Sequence, residues 1–297
     1  MKNIGMVGLG IMGLPMAKNL LAAGYQVTGY DRHAAALTQL VESGGTAANS
    51  VAEAVQGADV FITMVPDSPQ VKDVVYAEGG LLDNSSPGLV YIDMSSIRPD
   101  VAAEVAASCR ELGIRPLDAP VSGGEKGAIE ASLSIMVGGD QVDFDQALPI
   151  LQALGKTVVY LGPSGSGQTV KAANQLIVGG TYQLVAEAIV FLEAYGVDTA
   201  AALKVLTGGL AGSRILEIKG ESMLRRDFQP GFRIDLHHKD MGIVTAAARE
   251  AGVVIPLGAV VAQLIAALRA QGDGGLDHSA LLRGVERLSG RFETYNS

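Results

Sequence analysis

Lys171, Asn174 and Gln175, in the run GSGQTVKAANQ (165–175), are spaced i, i+3 and i+4, so they share one face if the segment is helical. An amine bordered by two amides and several small residues is a set that converges on a bound acid. A lysine on an otherwise apolar helix is also a common snorkelling surface residue, and the spacing alone leaves both readings open. APVSGG (119–124) supplies a second polar element: the Ser122 hydroxyl beside the exposed amides of Gly123 and Gly124 suits a small carboxylate. Lys239 lies in HHKD (237–240), within a segment otherwise rich in Ala, Val and Ile. His237 and His238 are adjacent and point in different directions, so they read as core or surface histidines and not as a metal pair.

GLGIMG (8–13) comes earlier in the chain, and its meaning depends on its flanks. NIGMVGL before it reads as a short buried strand; MGLPMAKNLLAAG after it reads as an amphipathic helix ending at Gly24. A second strand, YQVTGYD, follows and ends in Asp31, 18 residues beyond Gly13. Strand, glycine turn, helix, strand and acid in this order are the fingerprint of a dinucleotide site. Gly8 permits the tight turn, Gly10 lets a pyrophosphate approach the backbone, and Gly13 lets helix pack on strand. Leu9, Ile11 and Met12 complete the loop, whose amides at the helix N-terminus form an anion site.

The carboxylate of Asp31 suits the adenosine ribose hydroxyls of NAD and repels the extra phosphate of NADP, whereas the neighbouring Arg32 is able to stack on adenine or pair with that phosphate. The expected cofactor is NAD, with measurable activity on NADP. Two further strand ends face the same side. MVPDSP (64–69) places Val65 and Pro66 along a cofactor or makes an ordinary proline turn; in DMSSI (93–97), Ser95 or Ser96 bonds ribose or nicotinamide, or caps the next helix.

The elements that must position these residues divide at about Gly162. From residue 1 to 162, β-rich runs (NIGMVGL, QVTGYD, DVFITMV, LVYIDM, IRPLDA, LSIMVGG, TVVYLG) alternate with helical patterns. That pattern predicts an α/β fold, a Rossmann-type doubly wound and largely parallel sheet covered on both faces. After PSGSG (163–167) the strand signals stop and helices follow: a long one from about 166 to 194, then segments near 199–207, 213–225, 235–251, 256–270 and 277–288. The expected domains are a dinucleotide-binding domain, 1–162, and an all-helical substrate and oligomerisation domain, 163–297.

Composition bounds the function. The chain has 297 residues, 48% hydrophobic and 18% charged, with a net charge of −9 and no basic stripe, which argues against a nucleic-acid partner. One cysteine, Cys109, with four scattered histidines supports neither an internal disulfide nor a zinc cluster, and no metal is expected. The apolar stretch 176–194 carries Gln183, Glu187 and Glu193, so it reads as a buried helix and not as a membrane span. No secretory signal is read at the N-terminus, and a reducing cytoplasm is the expected compartment.

GLGIMGLPMAKNL, DAPVSGG, GSGQTVKAANQ and HHKD, in this order and at these intervals, resemble the β-hydroxyacid dehydrogenase family across essentially the whole chain. Within it, GGLAGS (208–213), PGFRIDLHHKD (230–240) and DHSAL (277–281) resemble the tartronate semialdehyde reductases. Gln175 departs from the second Asn of many members, a departure that subgroup shares and one that tells against 3-hydroxyisobutyrate as substrate. The resemblance implies hydride transfer between a nicotinamide and a three-carbon acid, with Lys171 as general acid and base. It also implies that Ser122, Gly123 and Gly124 hold the carboxylate, that Asn174 orients lysine and substrate with Gln175 beside it, and that Lys239 meets the nicotinamide end of the cofactor. The reductive product would be D-glycerate. The apolar segment 176–194 in a helical domain of this small size points to a homo-oligomer, a dimer or tetramer. The alternatives are a dehydrogenase of 3-hydroxyisobutyrate or another 3-hydroxyacid, a nucleotide-sensing protein on the same fold, or an imine-reducing relative. Lys171 beside Asn174 argues against the last two.

Overall fold

The computed structural model describes residues 1–291. The chain divides into two compact units, Met1–Lys171 and Ala172–Ser297.

In the first unit the apolar runs form strands β1 (Asn3–Val7), β2 (Gln26–Tyr30), β3 (Thr46–Ala47), β4 (Val60–Thr63), β5 (Val90–Asp93), β6 (Arg115–Asp118), β7 (Val121–Ser122), β8 (Leu133–Gly139) and β9 (Gly155–Gly162). The sheet order is β3-β2-β1-β4-β5-β6-β8-β7, with β9 also on β8. Pairing is parallel from β3 to β6; β8 runs antiparallel to β6 and β7, and β9 parallel to β8. The chain leaves β1 toward β2 and β3, then returns to place β4 on the other side. The direction of winding therefore reverses between β1 and β4, which is where ligands bind in such sheets.

Helices α1 (Gly13–Ala22), α2 (Ala34–Glu42), α3 (Val51–Val55), α4 (Ser68–Tyr76), α5 (Leu81–Asn84), α6 (Pro99–Glu111), α7 (Gly124–Ile129) and α8 (Gln141–Gln152) connect the strands. Residues on β4 and β5 are buried on both faces. Val60, Ile62, Val90 and Ile92 join one core cluster, while Phe61 and Tyr91 join the other. Each such side chain contributes about 1.5–3 kcal/mol by leaving water. Cys109 on α6 is fully buried in the second cluster, and burial pushes its thiol up to about 12.

The long helix α9 (Ser166–Ala194) starts in the first unit and continues into the second, which holds α10 (Thr199–Gly208), α11 (Arg214–Leu224), α12 (Ile234–Glu250), α13 (Pro256–Ala270) and α14 (Leu281–Leu288). By length and composition α9 is able to cross a membrane. Its Tyr182, Val185, Ala186, Ile189 and Val190 are instead the centre of the second unit's core, packed with Ile234, Met241, Ile265 and Leu281. Arg226, ion-paired with both Glu193 and Glu286, closes that core at one end.

Candidate active site

The glycines of GLGIMG have three different surroundings. Gly8 has φ +93°, and a Cβ there would lie 2.2 Å from the Met64 carbonyl oxygen and 3.2 Å from Val65 at the end of β4. A Cβ on Gly13 would lie 1.9 Å from the Gly8 oxygen, so helix and turn touch backbone to backbone. Gly10 has no protein atom within 4 Å of such a Cβ. The protein itself does not require glycine there, and the open space leaves room for a ligand to approach the backbone. Nor does any side chain cap α1 or place an acid in its first turn, which leaves its amides to an anion. Leu9, Gly10, Ile11, Asp31 and His33 help to line an open groove of about 610 Å³ at this turn. The residues present fit a dinucleotide.

Asp31 sits just past β2, as expected, and its carboxylate braces the backbone around it. Its Oδ2 accepts from the Leu9 amide at 2.7 Å, and its Oδ1 accepts from the His33 amide at 2.8 Å with the His33 ring at 2.9 Å. Burial would raise this carboxyl, but the Leu9 and His33 donors outweigh it and hold it below the ordinary value. Arg32 is exposed beside it. Val65 is half-buried and Pro66 exposed.

Ser95 does not cap α6: the capping position belongs to Arg98, because Pro99 presets the first helical turn. The fully buried Ser95 accepts the Val65 amide on its hydroxyl at 3.0 Å. It thereby ties the ends of β4 and β5 together, while Ser96 beside it is half-buried.

Ser122 ends β7, paired across from Ser134 on β8. Gly123 and Gly124 follow with φ +137° and +61°, a pair of turns open to glycine that begins α7. Lys171 lies on α9 and is only 8% exposed, so it is not a snorkelling surface lysine. Its segment is anchored by Asp118, whose Oδ1 accepts the Gly165 amide at 2.7 Å and whose Oδ2 accepts the Gln168 amide at 3.0 Å. Gly167 makes this possible, since a Cβ there would meet the Met136 oxygen at 2.3 Å and Asp118 at 2.8 Å. The side chain of Gln168 then donates to the Ser95 carbonyl at 2.8 Å and accepts from the Ile97 amide at 3.1 Å. Burial raises the Asp118 carboxyl despite its amide donors. Burial also pushes the neighbouring Asp93 to about 6, with Asp118 adding to the effect and Ser95 and Thr63 opposing it.

In the second unit, Asn174 and Gln175 belong to one polar chain. Asn174 Nδ2 donates to Gln175 Oε1 at 2.8 Å, Gln175 Nε2 donates to Asp240 Oδ2 at 2.6 Å, and Lys239 Nζ lies 2.8 Å from Asp240 Oδ1. Asp118, Gln168 and Asp240 were not singled out in the sequence. The signal for the first two was available, an acid at the head of DAPVSGG and an amide inside GSGQ, but their partners lie 47 to 73 residues away along the chain. Among the described residues, no group of three or more His, Cys, Asp or Glu is arranged to hold a metal.

Residues 3–162 match the family model for the NAD binding domain of 6-phosphogluconate dehydrogenase, and residues 165–285 match that for the NAD-binding domain of NADP-dependent 3-hydroxyisobutyrate dehydrogenase. The chain is 41% identical over 290 residues to 2-hydroxy-3-oxopropionate reductase of Escherichia coli K12, covering 96% of this chain and 98% of that protein. It is 35% identical over 298 residues to the NAD-dependent L-serine dehydrogenase of Pseudomonas aeruginosa, covering 98% and 100%. The crystal structure of Mycobacterium tuberculosis 3-hydroxyisobutyrate dehydrogenase with L-serine is similar at a TM-score of 0.88 and 34% identity, over 95% of this chain and 98% of that one. A buried lysine on an anchored helix, a glycine turn shaped for a dinucleotide and these relatives agree: the chain belongs to the β-hydroxyacid dehydrogenase family and is an NAD(P)-dependent oxidoreductase acting on the CH–OH group of 3-hydroxyacids.

Proposed function

We propose that the chain reduces 2-hydroxy-3-oxopropionate (tartronate semialdehyde) to D-glycerate, with NADH preferred and NADPH accepted. The observation that carries the mechanism is Asp118: its carboxylate fixes the start of the helix bearing Lys171, and its backbone leads directly into the loop bearing Ser122, Gly123 and Gly124. The choice of substrate is supported by the E. coli relative and by the motifs GGLAGS, PGFRIDLHHKD and DHSAL.

Bound NAD(P)H supplies the hydride that the carbonyl carbon accepts. Lys171 gives a proton to the carbonyl oxygen as negative charge develops there, and takes it back in the oxidative direction. The Ser122 hydroxyl and the amides of Gly123 and Gly124 hold the substrate carboxylate. Asn174, on the same face of α9, orients the lysine and the substrate oxygen, with Gln175 supporting it. The turn Gly8–Gly13 takes the pyrophosphate, Asp31 the ribose, and Val65, Pro66 and Ser96 flank the cofactor. The assignment of Lys239 to the cofactor rests on the resemblance of HHKD. The same reading makes the protein a cytoplasmic homo-oligomer, in keeping with its single cysteine and exposed apolar helix faces.

Lys171→Ala tests the mechanism. It is expected to lower kcat by about 10²–10⁴, the range for losing a positioned acid or base, while the NADH dissociation constant stays within a few fold. Near wild-type turnover would overturn the assignment. A panel of tartronate semialdehyde, D-glycerate, 3-hydroxyisobutyrate and L-serine tests the substrate: a higher kcat/KM for 3-hydroxyisobutyrate would replace this reading with that one.

A further inference from the structure

His237, one of the two adjacent histidines, is fully buried. Its Nδ1 lies 3.0 Å from Nδ1 of His278, and its Nε2 lies 3.4 Å from the backbone oxygen of Gln175. Gly179, one turn further along α9, admits the ring: a Cβ there would stand 3.2 Å from His237 Nε2. His278 is held in turn, with the Tyr182 ring at 3.9 Å between centroids and the Phe232 ring at 5.3 Å. The DHSAL and PGFRIDLHHKD motifs are thus joined. Asp277 Oδ2 accepts the amides of Gly231 and Phe232, and the His278 amide donates to the Phe232 oxygen.

Two Nδ1 atoms 3.0 Å apart share a single hydrogen when both rings are neutral. A carbonyl only accepts, so a ring facing the Gln175 oxygen through Nε2 carries its hydrogen there and leaves its own Nδ1 as an acceptor. His278 is then the donor. We propose that His278 fixes His237 as the neutral Nε2–H tautomer, and that His237 so fixed is a positioning residue for the chain Asn174–Gln175–Asp240–Lys239. A contact of 3.4 Å adds little stability, but it sets where α12 meets α9 at the residue that the chain passes through. Among the described residues, the charged and titratable groups near the pair include Asp277 with its partner Lys219 on α11, at 2.9 Å, Tyr182 on α9, and Arg233, His238, Lys239 and Asp240 along α12 and its N-cap. Asp277 beside His278 favours adding any extra proton to His278, which keeps its role as donor.

The functional half of this inference rests on the reading of Asn174 and Lys171 given above; the tautomer does not. Imidazole ¹⁵N spectra of the histidine-labelled wild type between about pH 5 and 8 should show His237 neutral and protonated at Nε2 throughout. Titration of His237 like a solvent histidine, or protonation at Nδ1, would overturn the proposal whatever the substrate is. His278→Leu removes the donor, so the acid limb of kcat/KM should move to higher pH and kcat/KM near pH 6 should fall about tenfold. His278→Asn places an amide where Nδ1 stood and should restore the wild-type profile. Equal behaviour of the two variants would overturn the positioning role and leave a packing role. If His278→Leu does not fold, a shifted acid limb in His278→Asn would overturn that role and an unshifted one, with the wild-type spectra as described, would support it. An active Lys171→Ala enzyme would instead discredit the site reading and leave the tautomer result standing.

Discussion

Gly10 and Gly13 lie three residues apart in one turn, and a methyl group has opposite consequences at each. On Gly13 it would stand 1.9 Å from the Gly8 oxygen, so Gly13→Ala should destabilise the fold by about 1–3 kcal/mol, read as a lower Tm. On Gly10 it would touch nothing in the protein, so Gly10→Ala should keep the Tm and weaken NADH binding by about tenfold or more, roughly 1.4 kcal/mol. An alanine at position 10 that binds NADH normally would remove the pyrophosphate from that turn. Asp31 is a second case of divided labour, since its carboxylate braces both Leu9 and His33. Asp31→Asn should shift kcat/KM toward NADPH, because a repelling charge is lost beside Arg32, and should cost about 1 kcal/mol of stability through a weaker brace. A wild type that already favours NADPH strongly would show that Arg32 governs the pocket.

Among the elements, β4 and β5 end in a buried polar knot. Thr63 donates to Asp93 Oδ1 at 2.7 Å and meets Tyr91 at 2.9 Å, while Asp93 Oδ2 is buried with no hydrogen-bond partner. Burial lifts Asp93 from the ordinary 3.8 to about 6, so the folded protein binds this proton more tightly than the unfolded chain. Its stabilising contribution is therefore complete below the lower value and disappears as pH rises through the higher one. A shift of this size corresponds to about 3 kcal/mol. Asp93→Asn keeps the acceptor oxygen without the charge and should raise the denaturation midpoint at pH 8, with the advantage vanishing near pH 4; equal midpoints at both pH values would contradict this. Little of the knot was legible in the sequence. The strands were, because Val60–Ile62 and Val90–Ile92 are uninterrupted apolar runs, and α9 was, from its residue pattern between 166 and 194. The two-residue strands β3 and β7 and the short α7 carry too few residues for any periodicity. Ser95 was open to misreading because a serine before a helix resembles a cap, whereas its true partner, Val65, arrives from another strand.

At the scale of the molecule, Ile177, Leu184 and Phe191 recur every seven residues on α9 and are each more than 60% exposed, on a helix whose other face is the core of its unit. We propose that this apolar stripe packs against a second copy of the chain. Light scattering at micromolar concentration should give a dimer or tetramer, and Leu184→Glu should shift it toward monomer; a monomeric wild type would exclude the idea. The glycine turn and the lysine face were visible in the sequence because their chemistry lies within a few neighbouring residues. Asp118, Gln168 and the histidine pair were not, because each acts across a gap that only folding closes. Cys109, the single cysteine, is wholly enclosed, and its thiol is held far from the reactive thiolate. The folded protein should accordingly be silent toward maleimides and mild oxidants, and labelling of the native wild type by a maleimide would contradict this. Any cysteine introduced on its surface would be the only labelling site, so spectroscopic probes can be placed one at a time without first removing a native thiol.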